Sequence, residues 1–177
     1  MKTIKVITGV RFQPEHFLQR MEKSKKLSYI EFSHVNTVYS LCWVFQFRVA
    51  LPVTRKITRY AGYYAGFEES TMTPGKLRVL PASREMEVED SQVLAARLTQ
   101  EQALKASWDY NKLGILRKFK SLSAPPVLEE YVVEQLYKPM YVMRFYNKEL
   151  GEAKYKVLDS LSGDLESIQI RPTPSAD

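Results

Sequence analysis

The chain has 177 residues, 45% of them hydrophobic and 26% charged, with a formal net charge of +6, a composition that excludes disorder throughout its length. A single cysteine, Cys42, excludes an intramolecular disulfide and a cysteine-based zinc site. The charge is uneven: residues 1–88 hold 14 Lys/Arg against 7 Asp/Glu, net +7, while residues 89–177 hold 12 against 13, net −1. That asymmetry permits binding to nucleic acid, an anionic membrane surface or an acidic protein patch, and a merely solvated basic surface would show it too.

The first residues, Met1-Lys2-Thr3-Ile4-Lys5-Val6, lack the uninterrupted apolar core of a secretory leader. Ile4, Val6 and Ile7 among polar neighbours predict an opening strand ending near Arg11-Phe12. Pro14 suits the first turn of a helix, where its missing N–H would be unpaired anyway. Phe17, Leu18 and Met21 make that helix's apolar stripe, and Lys23, Lys25 and Lys26 favour its C-terminal end. Strand-like segments follow at Tyr29 to Phe32, Val38 to Leu51 and Ile57 to Tyr64, with Gly62 and Gly66 read as a turn or bulge. The longest apolar stretch, Val38 to Val53, is broken by Gln46, Arg48 and Pro52 and is too short to span a bilayer. A soluble chain without a transmembrane segment, cytoplasmic unless a leader has been removed, is the default expectation.

Thr73-Pro74-Gly75 and the acidic run Arg84 to Asp90 mark residues 73–92 as a connection, with room for a short strand at Leu77 to Leu80. Thr99 followed by Gln102 fits a capping box and opens a second helix with apolar positions Leu104, Trp108, Ile115 and Phe119. Gly114 is a point where that helix could kink, and Pro125-Pro126 stops it. Strands are then expected at Val127 to Val133, Leu136 to Tyr146, Tyr155 to Leu158 and, after a turn at Ser162-Gly163-Asp164, Leu165 to Ile170. The tail, residues 171–177, is polar and proline-bearing and is expected to fray.

A repeat organises these elements. Tyr39-x-x-x-Trp43-Val44-x-x-Phe47 returns 98 positions later as Tyr137-x-x-x-Tyr141-Val142-x-x-Phe145, and the same register sets Phe17, Leu18 and Met21 opposite Ile115, Leu116 and Phe119. The expected fold class is therefore α+β: two duplicated helix-plus-antiparallel-sheet units packed as one compact body, with helices covering one face of each. The division is residues 1–72 for the first repeat, 73–92 for the connection, 93–170 for the second repeat and 171–177 for a flexible tail.

The segments Tyr137 to Phe145 and Lys156 to Glu166, a strand, a Gly turn and a returning strand, resemble a PepSY-type unit and are similar to the β-lactamase-inhibitor-protein and cystatin-like folds. Asp159 and Gly163 stand where such repeats carry an Asp before a Gly turn; in the first half Ala61 replaces the Asp. The resemblance implies a module that inhibits, regulates or binds proteins.

No catalytic signature stands out. His16 and His34 belong to no ligand or nucleophile motif, so no metal ligands, cofactor-binding residues or catalytic residues are assigned. Gly62-Tyr63-Tyr64-Ala65-Gly66 lacks the lysine and helix of a phosphate loop. The acid pairs Glu68-Glu69 and Glu129-Glu130 sit at adjacent strand positions, which point to opposite faces, and are read as solvated edges. The remaining candidate is the basic, aromatic segment containing Arg55, Lys56, Arg59, Tyr60, Tyr63 and Tyr64. If Ile57 faces the core, alternation sends Arg55 and Arg59 inward as well, and packing of the tyrosines across strands is preferred to a binding role for them. The leading expectation is a non-enzymatic protein that binds an acidic protein partner through an exposed sheet face or the cleft between repeats. A basic nucleic-acid-binding module using the same residues is the alternative. An enzyme comes third, since it would need a pocket gathering Glu, Tyr and Arg from both halves.

Overall fold

The structure, a computed structural model, describes residues 1–167. It is α+β, with strands predominating over two helices. In chain order the elements are β1 (Lys2–Ile7), α1 (Pro14–Glu22), β2 (Ile30–Pro52), β3 (Thr58–Glu68), β4 (Thr73–Leu77), β5 (Ser83–Val88), α2 (Gln100–Lys118), β6 (Val127–Asn147), β7 (Glu152–Asp159) and β8 (Leu165–Ser167). No helix among the described residues is long and apolar enough to cross a membrane.

The segments Tyr29 to Phe32 and Val38 to Leu51 are not separate strands but one, β2, and the two segments expected within residues 127–146 likewise merge into β6. The expected segments leave out the polar residues between them, such as Asn36 and Thr37 in β2, yet a strand crosses polar residues freely wherever its surface is solvated. Residues 73–92 are more than a connection: β4 and β5 lie within them, and β5 pairs with β1 from Lys2↔Val88 to Ile7↔Ser83. Gly62 and Gly66 make neither turn nor bulge, because the β2–β3 ladder runs unbroken through Arg48↔Gly62 and Val44↔Gly66. The expected strand at Leu165 to Ile170 is described only as far as Ser167, and the expected frayed tail lies outside the described residues.

The chain forms two compact units, neither of them a continuous stretch. The first contains Met1–Thr8 and Tyr39–Lys138. Its strand order is β4-β3-β2-β6-β1-β5. Successive residues of a strand point to opposite faces, and here both faces of β2 are buried: Tyr39, Leu41, Trp43, Phe45, Phe47, Val49 and Leu51 enter one core with Ile4, Val6 and Phe67, while Cys42 and Val44 pack on the other side with Ile7 and Leu136. This explains the continuous apolar run and places Cys42 as a small buried hydrophobe.

The helix α2 covers the first of these faces. Its N-terminus is built as the capping box requires, with the Thr99 hydroxyl accepting from Gln102 N and the Gln102 side chain accepting from Thr99 N. The residues it buries, Ala103, Ser107, Asn111 and Ile115, are mostly small, and it packs on β3 and β4. Ser107 Oγ donates to Gly66 O at 3.4 Å. Of the expected apolar positions, Ile115 is buried, while Leu104 and Trp108 flank the buried face half-buried. Gly114 does not kink the helix, which continues to Lys118.

The second unit contains Gly9–Val38 and the chain from Pro139 onward. Here β6 pairs antiparallel with β7 from Met140↔Asp159 to Asn147↔Glu152, and β7 pairs with β8. Phe17 and Leu18 of α1 pack against Tyr141, Met143, Phe145 and Leu158. Each helix therefore packs on strands of the other half of the sequence, α1 on β6 and β7 and α2 on β3 and β4. Asp159 holds the β7–β8 turn: its Oδ1 accepts from Leu161 N (2.7 Å) and Ser162 N (3.1 Å), and its carbonyl accepts from Gly163 N (3.0 Å).

Candidate binding site on the β3 edge

The turn joining β2 to β3 is fixed from within. Thr54 Oγ1 accepts from Lys56 N (3.2 Å) and Ile57 N (3.0 Å), and Val53 N donates to Ile57 O (2.9 Å). These bonds hold Arg55 and Lys56 in solvent at the tip. Ile57 does not face the core; it is 55% exposed, so the inward placement of Arg55 and Arg59 that would follow from it does not occur, and both are exposed.

Beyond the turn, β3 is paired along one side with β2, from Pro52↔Thr58 to Cys42↔Glu68. On its other side β4 pairs only with Tyr64 to Glu68. Thr58 to Tyr63 thus form an edge on which no strand is seated among the described residues. In an antiparallel ladder alternate residues direct their N–H and C=O to the same neighbour, so half of these six residues offer backbone hydrogen-bonding groups outward.

Alternation divides the candidate side chains between two faces. Tyr60 is exposed and lies under the Arg48 guanidinium, 5.0 Å from the ring centroid, a cation–π contact; Tyr64, also exposed, follows it on the same face. Arg59 and Tyr63 share the α2 face, where Tyr63 is half-buried and packs against the core. That burial pushes its phenol above the ordinary 10.0. The six candidates therefore belong to one hairpin, and Tyr63 enters a concavity: a groove of about 230 Å³ lined by Tyr63, Lys76, Tyr110, Leu113, Arg117 and Lys118, with Gly114 on its wall. The α2 and β4 residues of this groove were not singled out from the sequence. The available signal was the small buried face of α2, which leaves Tyr110 and Leu113 exposed although their neighbours Asn111 and Ile115 are buried.

The acid pairs separate. Glu129 and Glu130 are exposed, and Glu130 faces Arg48 at 3.6 Å. Glu68 and Glu69 are not a solvated edge. Glu68 accepts from the fully buried Lys138 Nζ and from Ser70 Oγ (2.7 Å). Glu69, 4% exposed, accepts from Trp43 Nε1 (3.0 Å), Arg97 N (2.8 Å) and Leu98 N (3.3 Å). The strand sends the two carboxylates apart, as alternation requires, and each finds donors from the protein, which is how the buried Glu69 becomes tolerable. His16 and His34 are both exposed; His34 Nε2 lies 3.0 Å from Asn36 O. Among the described residues no cluster of His, Cys, Asp and Glu could hold a metal ion.

No family model, curated protein or solved structure matches the chain. The reading of the site rests on its own geometry.

Proposed function

We propose that this is a non-enzymatic binding protein that takes an extended, acidic segment of a protein partner along the open β3 edge. The observation that carries the reading is the juxtaposition of open strand edge and positive charge: among the described residues no strand pairs with the outer side of Thr58 to Tyr63, and Arg55, Lys56 and Arg59 stand exposed beside them. Strand addition draws affinity from main-chain hydrogen bonds and selectivity from side-chain sites on alternating faces. Here one face offers Tyr60 and Tyr64 and the other Tyr63 with Lys76. The opposite edge of the same unit, β5, carries Glu85 and Glu87 and would repel an acidic strand.

The duplication belongs to the same proposal. Shifted by 98 positions, β2 would span residues 128–150, and β6 occupies Val127–Asn147. The order helix, long strand, returning strand recurs as α1-β2-β3 and α2-β6-β7. These correspondences support two PepSY-like or cystatin-like repeats that have exchanged helices.

Peptides selected from a random library on the intact protein test the reading. Selected sequences should be acidic and free of proline at alternate positions. The triple variant Arg55→Glu/Lys56→Glu/Arg59→Glu should lose them, because like charges would then oppose encounter. Enrichment of neutral or basic peptides, or binding untouched by the triple variant, would refute it. A second reading, nucleic-acid binding, is favoured by the exposed Tyr60 and Tyr64 beside Arg48 and would appear as tight oligonucleotide binding that falls steeply with salt.

A further inference from the structure

The second unit carries a groove of its own. About 490 Å³ in volume, it lies between α1 and the β7–β8 turn and is lined by Phe12, Gln13, Phe17, Arg20, Leu158 and Gly163, among others. Under the 98-residue register, Phe12 corresponds to Tyr110, Gln13 to Asn111, His16 to Gly114, Phe17 to Ile115 and Arg20 to Lys118. All ten residues line a groove, the first of each pair in the second unit and the second in the first unit. Four of the five pairs keep their chemistry: aromatic, carboxamide, apolar, cation. Phe17 and Ile115 already belong to the sequence register; the other four pairs do not, so their agreement is independent of it.

From this correspondence we propose that the two grooves are one duplicated ligand site, each accepting a small organic anion with an apolar body, such as a short acyl or single-ring carboxylate. The apolar portion would lie on Tyr110, Leu113 and Ile115 in the first groove and on Phe12, Phe17 and Leu158 in the second. The charge would meet Lys118 with Lys76 and Arg117, or Arg20 with Arg11. Among the described residues the first groove has no carboxylate in its lining, and the second has Asp164 against Arg11 and Arg20. A volume near 230 Å³ lies below the roughly 300–1,000 Å³ of drug-sized sites, which sets the size of the ligand.

A glycine stands on the wall of each groove. Gly114 is interior to α2, where glycine weakens a helix, yet a Cβ there would meet no atom within 4 Å. Packing does not demand the glycine; a side chain at this position would stand at the groove. Gly163 has φ +79° and a Cβ there would approach the Phe12 ring to 2.8 Å, so the ring rests directly on the turn and forms the groove wall.

The test uses the full chain labelled with nitrogen-15 and titrated with sodium octanoate, reading the Gly114 and Gly163 amide resonances, one for each groove. Both should shift saturably, and octylammonium chloride should move neither. Lys118→Glu should weaken the Gly114 response about tenfold and leave that of Gly163 unchanged, and Arg20→Glu should do the reverse. Both residues are exposed, and retention of the remaining resonances verifies that each variant folds. Absence of saturable shifts, equal shifts with octylammonium, a response at only one glycine, or insensitivity to both charge reversals would overturn the proposal. The first groove shares Tyr63 and Lys76 with the β3 edge, but neither charge reversal touches Arg55, Lys56 or Arg59, so the peptide selection tests that edge separately.

Discussion

Replacing Glu69 probes the support beneath the first groove. Its carboxylate is nearly inaccessible and accepts three N–H groups, from the Trp43 indole and the backbone of Arg97 and Leu98. Those two backbone groups immediately precede Thr99, the N-cap of α2, so Glu69 anchors the approach to the helix that supplies Tyr110, Leu113 and Lys118. In Glu69→Gln one carboxylate oxygen becomes an amide nitrogen, and a donor then faces a donor. Hydrogen bonds to charged groups contribute about 1.5–3 kcal/mol each, and a buried group left unpaired costs about 1–3 kcal/mol. We expect Glu69→Gln to lose about 2–3 kcal/mol and Glu69→Ala, which abandons all three donors and opens a cavity, about 3–5 kcal/mol. Urea unfolding gives these values, and amide exchange locates them: Arg97 and Leu98 should lose protection while the β6–β7 ladder keeps its own. A double-mutant cycle with Trp43→Phe should return a coupling of about 1.5–3 kcal/mol. A loss below about 0.5 kcal/mol in Glu69→Gln, the range of ordinary surface substitutions, would refute the assignment of Glu69 as an anchor.

Three further outcomes are expected. Gly163→Ala should destabilise by about 2 kcal/mol or more, since it places a β-carbon at positive φ and against the Phe12 ring; an unchanged urea midpoint would contradict this. Gly114→Ala should act oppositely and stabilise by about 0.5–1 kcal/mol, because the added carbon meets open space; a lowered melting temperature would show a packing role that the geometry does not reveal. Tyr63 has a phenol raised above 10.0 by burial, so the folded state holds its proton longer than the unfolded chain. The stabilisation this gives is fully present below the unfolded value near 10 and is lost as pH rises through the folded value. Tyr63→Phe should flatten that loss, measured as unfolding free energy against pH, and an unaltered profile would exclude the cause.

Local chemistry made much of the secondary structure legible. Pro14 at the first turn of α1 and the Thr99–Gln102 box opening α2 are decided by a few adjacent residues, and both helices begin where those residues place them. What escaped was set by distant neighbours. The chain around Asn36 and Thr37 continues as strand although its composition reads as a break, and β5 forms because β1 supplies its partner. Glu69 reads as a surface acid until Trp43, Arg97 and Leu98 are brought to it. Of the candidate site, Arg55 and Lys56 were legible as a cationic turn, while Ile57 misled because alternation was extended across a turn, where the period of two no longer holds. The groove residues of α2 and β4 lie 13 to 55 positions from Tyr63, from Lys76 to Lys118, and no local pattern joins them. That α1 packs on β6 and β7 and α2 on β3 and β4 has the same origin: helix periodicity shows which face is apolar, not which strands that face will cover.

The most direct measurement of the central claim is amide hydrogen exchange of the full chain with and without an acidic peptide selected on it. The account predicts new protection at alternate residues within Thr58 to Tyr63, where outward-facing N–H groups acquire strand partners, and little change along β5. Binding that leaves Thr58 to Tyr63 exchanging as before, or that protects β5 instead, would contradict it.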